Sequence, residues 1–213
     1  MADEQPLHKG FVLGSIAYSL GKKADDNKSH EWTVYVRAAN PEEDPSLYIR
    51  KVTFHLHPTL QPPSRTIETA PFEVTEQGWG EFEISVQIFF HDSKERPVEM
   101  MHQLRLYPPN DAPASQVAKP VVAERYDEFV FNTPSDALRT KLSADIVPGP
   151  KDNPKVWKYS PHAKWWTDYD AEYDARTDRL QEIYTQITAQ LQEASKRRRI
   201  LEEENEAIAK RQS

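Results

Sequence analysis

The chain has 213 residues, with 6 glycines, 17 prolines and no cysteine, and a formal charge of −7 from 34 acidic and 27 basic side chains. The lack of thiols excludes disulfides, thiolate nucleophiles and thiolate metal sites, and fits a reducing compartment better than secretion. The acidic balance argues against broad contact with nucleic-acid phosphates and suits a basic partner, and the few glycines form no Rossmann or P-loop phosphate motif. No apolar run approaches the ~18 residues of a membrane span, and the opening MADEQPLHKG lacks the regions of a signal peptide, so a soluble protein is expected.

From residue 11 to about 107 the apolar residues recur with the two-residue period of half-buried strands, in FVLGSIAYSL, EWTVYVRA, YIRKVTFHLH, FEVTEQGWGEFEISVQIFF and MHQLRLYPP. The runs are short and bounded by turn formers, including NPEEDPS and QPPSR, and no long helical pattern interrupts them. An all-β, immunoglobulin-like sandwich is predicted. Within it, FHLHPTL places His55 and His57 two residues apart. On a strand such residues share a face, as a zinc site with two imidazoles requires, but no third ligand stands at useful spacing; His30, His91 and His102 lie on other segments. The bland alternative puts Phe54 and Leu56 in the core and both imidazoles on the outer face. For His57 the following residues suggest more: Pro58 ends the strand and Thr59 begins the turn, setting an imidazole and a hydroxyl together at a loop mouth. In EQGWGEF, Gly78 and Gly80 flank Trp79, with Phe82 three residues on. Two scarce glycines around one tryptophan allow close backbone approach to a ligand. The alternative is that Trp79 and Phe82 cap the sandwich core.

From Pro108 to about Pro161 proline is dense, in PPNDAPAS and VPGPKDNP, and is broken by YDEFVFNTPSDALRTKL, which reads as one strand and one short helix docked along a tether. From Asp168 to Gln212 there is neither proline nor glycine, and charges alternate in sign as on a long solvated helix. Tyr173, Leu180, Ile187, Ala194, Leu201 and Ile208 recur every seven residues. Tyr184 and Leu191 fill the interleaved position, which then degrades to Arg198 and Asn205. This is a coiled-coil pattern, and the polar core positions favour a different partner chain over self-pairing. The alternative is a lone amphipathic helix folded back on the domain.

The segments SHEWTVYVRA, VTFHLHPT, PFEVTEQGWGEFEISVQIFF and LRLYPP, in that order and spacing, resemble the YEATS domain family over about residues 8–108. The YDEFVF segment and the terminal coiled coil resemble the branch that serves as a shared subunit of histone-variant-exchange remodellers and histone acetyltransferase complexes. The resemblance implies three regions: a YEATS sandwich over 8–108, a linker over 109–167 and a coiled-coil helix over 168–212. It implies a nuclear, non-catalytic reader of acetylated or crotonylated lysine on the histone three tail, joined to other chromatin-complex subunits through the coiled coil. No cofactor, metal, catalytic residue, membrane contact or sequence-specific nucleic-acid binding is implied. His57 and Thr59 match the family's histidine and hydroxyl pair, Trp79 and Phe82 its aromatic walls, and Gly78 and Gly80 flank the main-chain amide that meets the acyl carbonyl. Two positions depart: Leu60 stands where relatives usually carry an aromatic residue, and Lys28 where they show histidine or phenylalanine. Those departures leave a second expectation beside the first, a purely structural coiled-coil subunit with a decayed pocket.

The chemistry is coherent without the name. Acylation turns a solvated ammonium into a neutral planar amide that enters an aromatic slot without the desolvation penalty of a charge. Stacking on Trp79, its backbone N–H and the Thr59 hydroxyl would satisfy that amide, with His57 orienting Thr59. Glu81, outside the slot, is expected to guide basic tails.

Overall fold

A computed structural model describes residues 6–21, 28–109, 119–143, 155 and 157–212; side chains are described only to residue 203 and not for residues 159 and 170. The expectations for PPNDAPAS beyond residue 109, for VPGPKDNP, and for the side chains of Asn205 and Ile208 lie outside the described residues. Among the described residues, eight strands build two antiparallel four-stranded sheets. The first, in order β5-β2-β1-β8, comprises β5 (Phe72–Gly78), β2 (His30–Ala38), β1 (Leu7–Ser19) and β8 (Val121–Phe131). The second, in order β4-β3-β6-β7, comprises β4 (Ser64–Ile67), β3 (Ile49–His55), β6 (Glu83–Phe90) and β7 (Val98–Gln103).

Alternation fixes which side chains enter the core. Along β6, Ile84, Val86, Ile88 and Phe90 are buried while their neighbours are partly or fully exposed. A slip of one residue would invert that set, so register is strongly specified. Strand β2 is buried almost throughout and β1 from Phe11 to Ala17, because both faces of the first sheet are covered there. Inside lie Phe11, Leu13, Trp32, Val34, Phe54 and Phe72. Outside, Ile16 and Tyr35 meet Trp157, from a 3-10 turn at Trp157–Tyr159, and Trp166, which directly follows a second at Ala163–Trp165. Arg37 lies in the same layer, its guanidinium 4.4 Å from the Trp157 ring centroid and 2.8 Å from the Glu124 carboxylate, with both charged side chains 4% exposed.

The strand read from YDEFVF is longer than those six residues and is a full member of a sheet. It pairs with β1 from Leu7↔Phe131 to Ala17↔Val121, and Phe129 stacks on Phe11 with centroids 3.8 Å apart. The following helix, α1 (Asp136–Ser143), buries Leu138 and Leu142, one turn apart. Residues beyond 108 thus supply core side chains, and the first compact unit runs to Asp168. Strand β4 was hidden in a proline-rich connector because it has four residues and pairs only with β3. Apolar alternation misplaced β7, which covers 98–103; LRLY follows it as non-strand chain whose Leu104 and Leu106 are nonetheless buried.

The second unit is α2 (Tyr169–Gln212), a single 44-residue helix. Tyr173, Leu180, Tyr184, Ile187 and Leu191 are exposed along it. Among the described residues no helix is long and apolar enough to cross a membrane.

Candidate functional site

One end of the sandwich gathers most of the residues singled out in the sequence. Strand β3 ends at His55, so His57 lies in the turn beyond it rather than on the strand. There Leu60 N–H donates to the His57 carbonyl at 2.9 Å, closing a tight turn that carries Thr59 at its tip. The two histidines therefore do not share a strand face, and among the described residues no three His, Cys, Asp or Glu side chains gather as a metal-ligand set.

The His57–Thr59 pair forms as expected, with Nδ1 and Oγ1 2.9 Å apart. The Thr59 backbone N–H also donates to the same Nδ1, at 3.4 Å. A nitrogen that accepts from an amide carries no proton, which places the neutral imidazole's hydrogen on Nε2. Thr59 then donates its own hydroxyl proton to Nδ1 and turns its remaining lone pairs outward as an acceptor.

Phe82 precedes β6 and ties the turn to the core. Its ring lies 5.8 Å from that of His57 and 5.8 Å, edge to face, from that of Trp32. Leu60 is half-buried against the same core. Trp79 behaves otherwise: it follows the end of β5 and is 62% exposed, so Phe82 closes the core at this end and the indole does not. Neither flanking glycine has positive φ. A Cβ at Gly80 would meet nothing within 4 Å, and one at Gly78 would make only ordinary contact with the Trp32 indole nitrogen, so these glycines keep the loop bare rather than permit an unusual backbone. Lys28 is exposed just before β2.

Glu81, expected to guide basic tails, is exposed but its carboxylate is engaged within the domain. Its carboxylate accepts from the backbone N–H of Leu106 at 2.7 Å and of Tyr107 at 3.2 Å, and from Arg105 at 3.0 Å. Burial works against its ionisation, but those two amides and the guanidinium outweigh it and hold the carboxyl below its ordinary range. Three residues that the sequence reading left without a role also converge on the tryptophan loop. Ser29 Oγ donates to the Gly78 carbonyl at 3.3 Å and lies 2.9 Å from His30 Nδ1. Tyr107 donates its hydroxyl proton to the Trp79 carbonyl at 3.2 Å, and its ring meets His30 edge to face at 4.8 Å. The only signal in the sequence was a hydroxyl and an imidazole abutting β2 in SHEW and a tyrosine closing LRLYPP.

Comparison with known proteins agrees with this architecture. The model of the YEATS family matches residues 27–108. Transcription initiation factor TFIID subunit 14b of Arabidopsis thaliana is 46% identical over 62% of this chain and 49% of its own length. Protein AF-9 homolog of Emericella nidulans is 40% identical over 64% of this chain and 52% of its own, so the chain aligns with about half the length of these two relatives. The AF-9 homolog of Schizosaccharomyces pombe is 41% identical over 66% of this chain and 68% of its own. Among solved structures, the Yaf9 YEATS domain bound to H3K27ac superposes with a TM-score of 0.57 at 34% identity, covering 67% of this chain and 96% of that one. The same domain recognising an H3K122suc peptide gives 0.55 at 36% identity, covering 64% and 93%. With two antiparallel sheets, a match to the family model and a relative 41% identical over 68% of its own length, this chain belongs to the YEATS family.

Proposed function

We propose that this protein is a non-catalytic reader of acylated lysine on histone tails, working in the nucleus as a subunit of a chromatin complex. The observation that carries the reading is the exposure of Trp79: a folded domain rarely leaves its largest aromatic side chain in water at a strand end unless something covers it. One solved relative, the Yaf9 YEATS domain, was captured with two acylated histone H3 peptides, and its sequence identity to this chain supports the same ligand class here.

On this reading a neutral secondary amide finds each contact it needs. The indole face offers a stacking surface, worth about 0.5–1.5 kcal/mol beyond area burial. The Thr59 oxygen, with its own proton committed to His57, accepts the ligand's N–H. A backbone N–H of the Trp79 loop donates to the acyl oxygen. An unmodified lysine gains little, because its ammonium would lose hydration without meeting a carboxylate: Glu81 is already engaged with residues 105–107. Burying Leu60 rather than an aromatic at this wall weakens the stack by up to about tenfold, which separates affinity from the existence of the pocket. Helix α2 anchors the reader to its assembly through its exposed heptad face, which pairs with a helix of a different subunit.

Calorimetric titration of acetylated, crotonylated and unmodified histone H3-tail peptides tests the reading. Preference for the acyl peptides, lost in Thr59→Val, is expected; equal affinity for all three would leave a structural subunit whose function rests on α2 alone.

A further inference from the structure

The stacking surface is a side chain, but the hydrogen-bond donor opposite the acyl oxygen is backbone, and a loop amide has no rotamer to fix its direction. In a trans peptide the carbonyl and the following N–H point in opposite directions within one plane. Holding the carbonyl therefore aims the N–H. The junctions on either side of Trp79 are both trans, and both carbonyls are held by side chains. Ser29 Oγ donates to the Gly78 carbonyl at 3.3 Å, fixing the plane that contains Trp79 N–H. The Tyr107 hydroxyl donates to the Trp79 carbonyl at 3.2 Å, fixing the next plane, which contains Gly80 N–H. Among the described residues, no backbone carbonyl outside the strand ladders accepts from either amide.

We infer that Ser29 and Tyr107 are positioning residues that aim the Trp79 and Gly80 amides at the ligand's acyl oxygen, an inference that rests on the reader function proposed above. Each is itself braced. Ser29 has one hydroxyl proton to give; it gives it to Gly78 and accepts from His30 Nδ1 2.9 Å away, which places the neutral His30 proton on Nδ1. His30 is nine-tenths buried, and its ring lies edge-on to that of Tyr107 with centroids 4.8 Å apart, so one imidazole supports both positioning groups. The stretch carrying Tyr107 is pinned in turn by Glu81, which accepts its backbone N–H and that of Leu106. The loop is thereby clamped from β2 on one side and from the chain after β7 on the other. A pocket built this way donates from a set direction before the ligand arrives, and less ordering cost is left for binding.

The test uses the full chain and a histone H3-tail peptide bearing one acetyl-lysine, with its unmodified counterpart as control. Tyr107→Phe keeps the ring against His30 and removes only the hydroxyl; Ser29→Ala removes the other donor, and Ser29→Thr restores it. Tyr107→Phe and Ser29→Ala are each expected to weaken the acetylated peptide about three- to tenfold, the worth of one hydrogen bond, with melting temperature and unmodified-peptide binding unchanged. Ser29→Thr is expected to return affinity to within about twofold of wild type. In 1H–15N spectra the ligand-induced downfield shift should shrink at Gly80 in Tyr107→Phe and at Trp79 in Ser29→Ala, a signature that a merely structural residue would not produce at one chosen amide. Wild-type discrimination with both variants at wild-type affinity and amide shifts overturns the inference and leaves the reader function standing. A wild type that does not discriminate removes the reader function and the inference with it.

Discussion

His102 provides a quantitative check on the packing of the sandwich. It lies on β7 in the second sheet, 7% exposed, and its Nε2 is 2.9 Å from the hydroxyl of Ser15, a fully buried residue of β1 in the first sheet. Burial, with a smaller push from Arg125, lowers its pKa from 6.5 to about 4. In the unfolded chain the imidazole regains its ordinary value, so between about pH 6.5 and 4 the unfolded state binds a proton that the folded state refuses. Stability from this group is complete above that window and falls as the pH drops through it. At pH 5 the loss is about 2 kcal/mol and at pH 4 about 3 kcal/mol. Carboxylates titrate over part of the same range, so the assay is a difference: urea unfolding of wild type and His102→Gln at pH 7, 6, 5 and 4. Glutamine keeps a donor for Ser15 without a titrating proton. The wild-type curve should fall below that of the variant by a gap that grows to about 3 kcal/mol at pH 4, relative to their difference at pH 7. Parallel curves would show that His102 is hydrated in solution and would refute the buried bridge between the sheets.

The other expectations concern β8, the sheet packing and the site. Phe129→Ala removes the ring stacked on Phe11 and should cost about 3–5 kcal/mol in urea unfolding, and a chain ending at residue 108 should lose cooperative unfolding altogether. Gly14→Ala should cost about 1–3 kcal/mol by the same measurement, because its Cβ would lie 2.9 Å from the Ala123 carbonyl oxygen and from the Tyr35 hydroxyl. Trp79→Ala should change stability by less than about 0.5 kcal/mol, since the indole is exposed, while acetyl-peptide affinity in calorimetry falls by about tenfold or more.

Short-range regularities in the sequence were enough for several elements. The two-residue period of EISVQIFF is the burial pattern of β6, because side-chain direction along a strand is a local property. Proline- and glycine-free sequence from Asp168 onward gave the long helix for the same reason. The His57–Thr59 bond also joins residues two apart and needs only a turn, which Pro58 signals. What was not legible depends on residues far apart in the chain. That His55 and His57 do not share a strand face follows from β3 ending at His55, a boundary set by pairing with β4 and β6 rather than by local propensity. Glu81 reads as a surface charge until Leu106 and Tyr107, some 25 residues on, turn their amides toward it.

The sequence alone determined which stretches extend, which coil and which turn carries the imidazole and hydroxyl, since those follow from the chain's own periodicity and stiff residues. Only the tertiary structure decided that a strand beyond residue 120 closes the first sheet, that Trp157 and Trp166 roof its outer face, and that Ser29 and Tyr107 meet at one loop. Contacts across such sequence distances arise when separate apolar faces are buried together, and that selection acts on the whole assembled core rather than on any window of the chain.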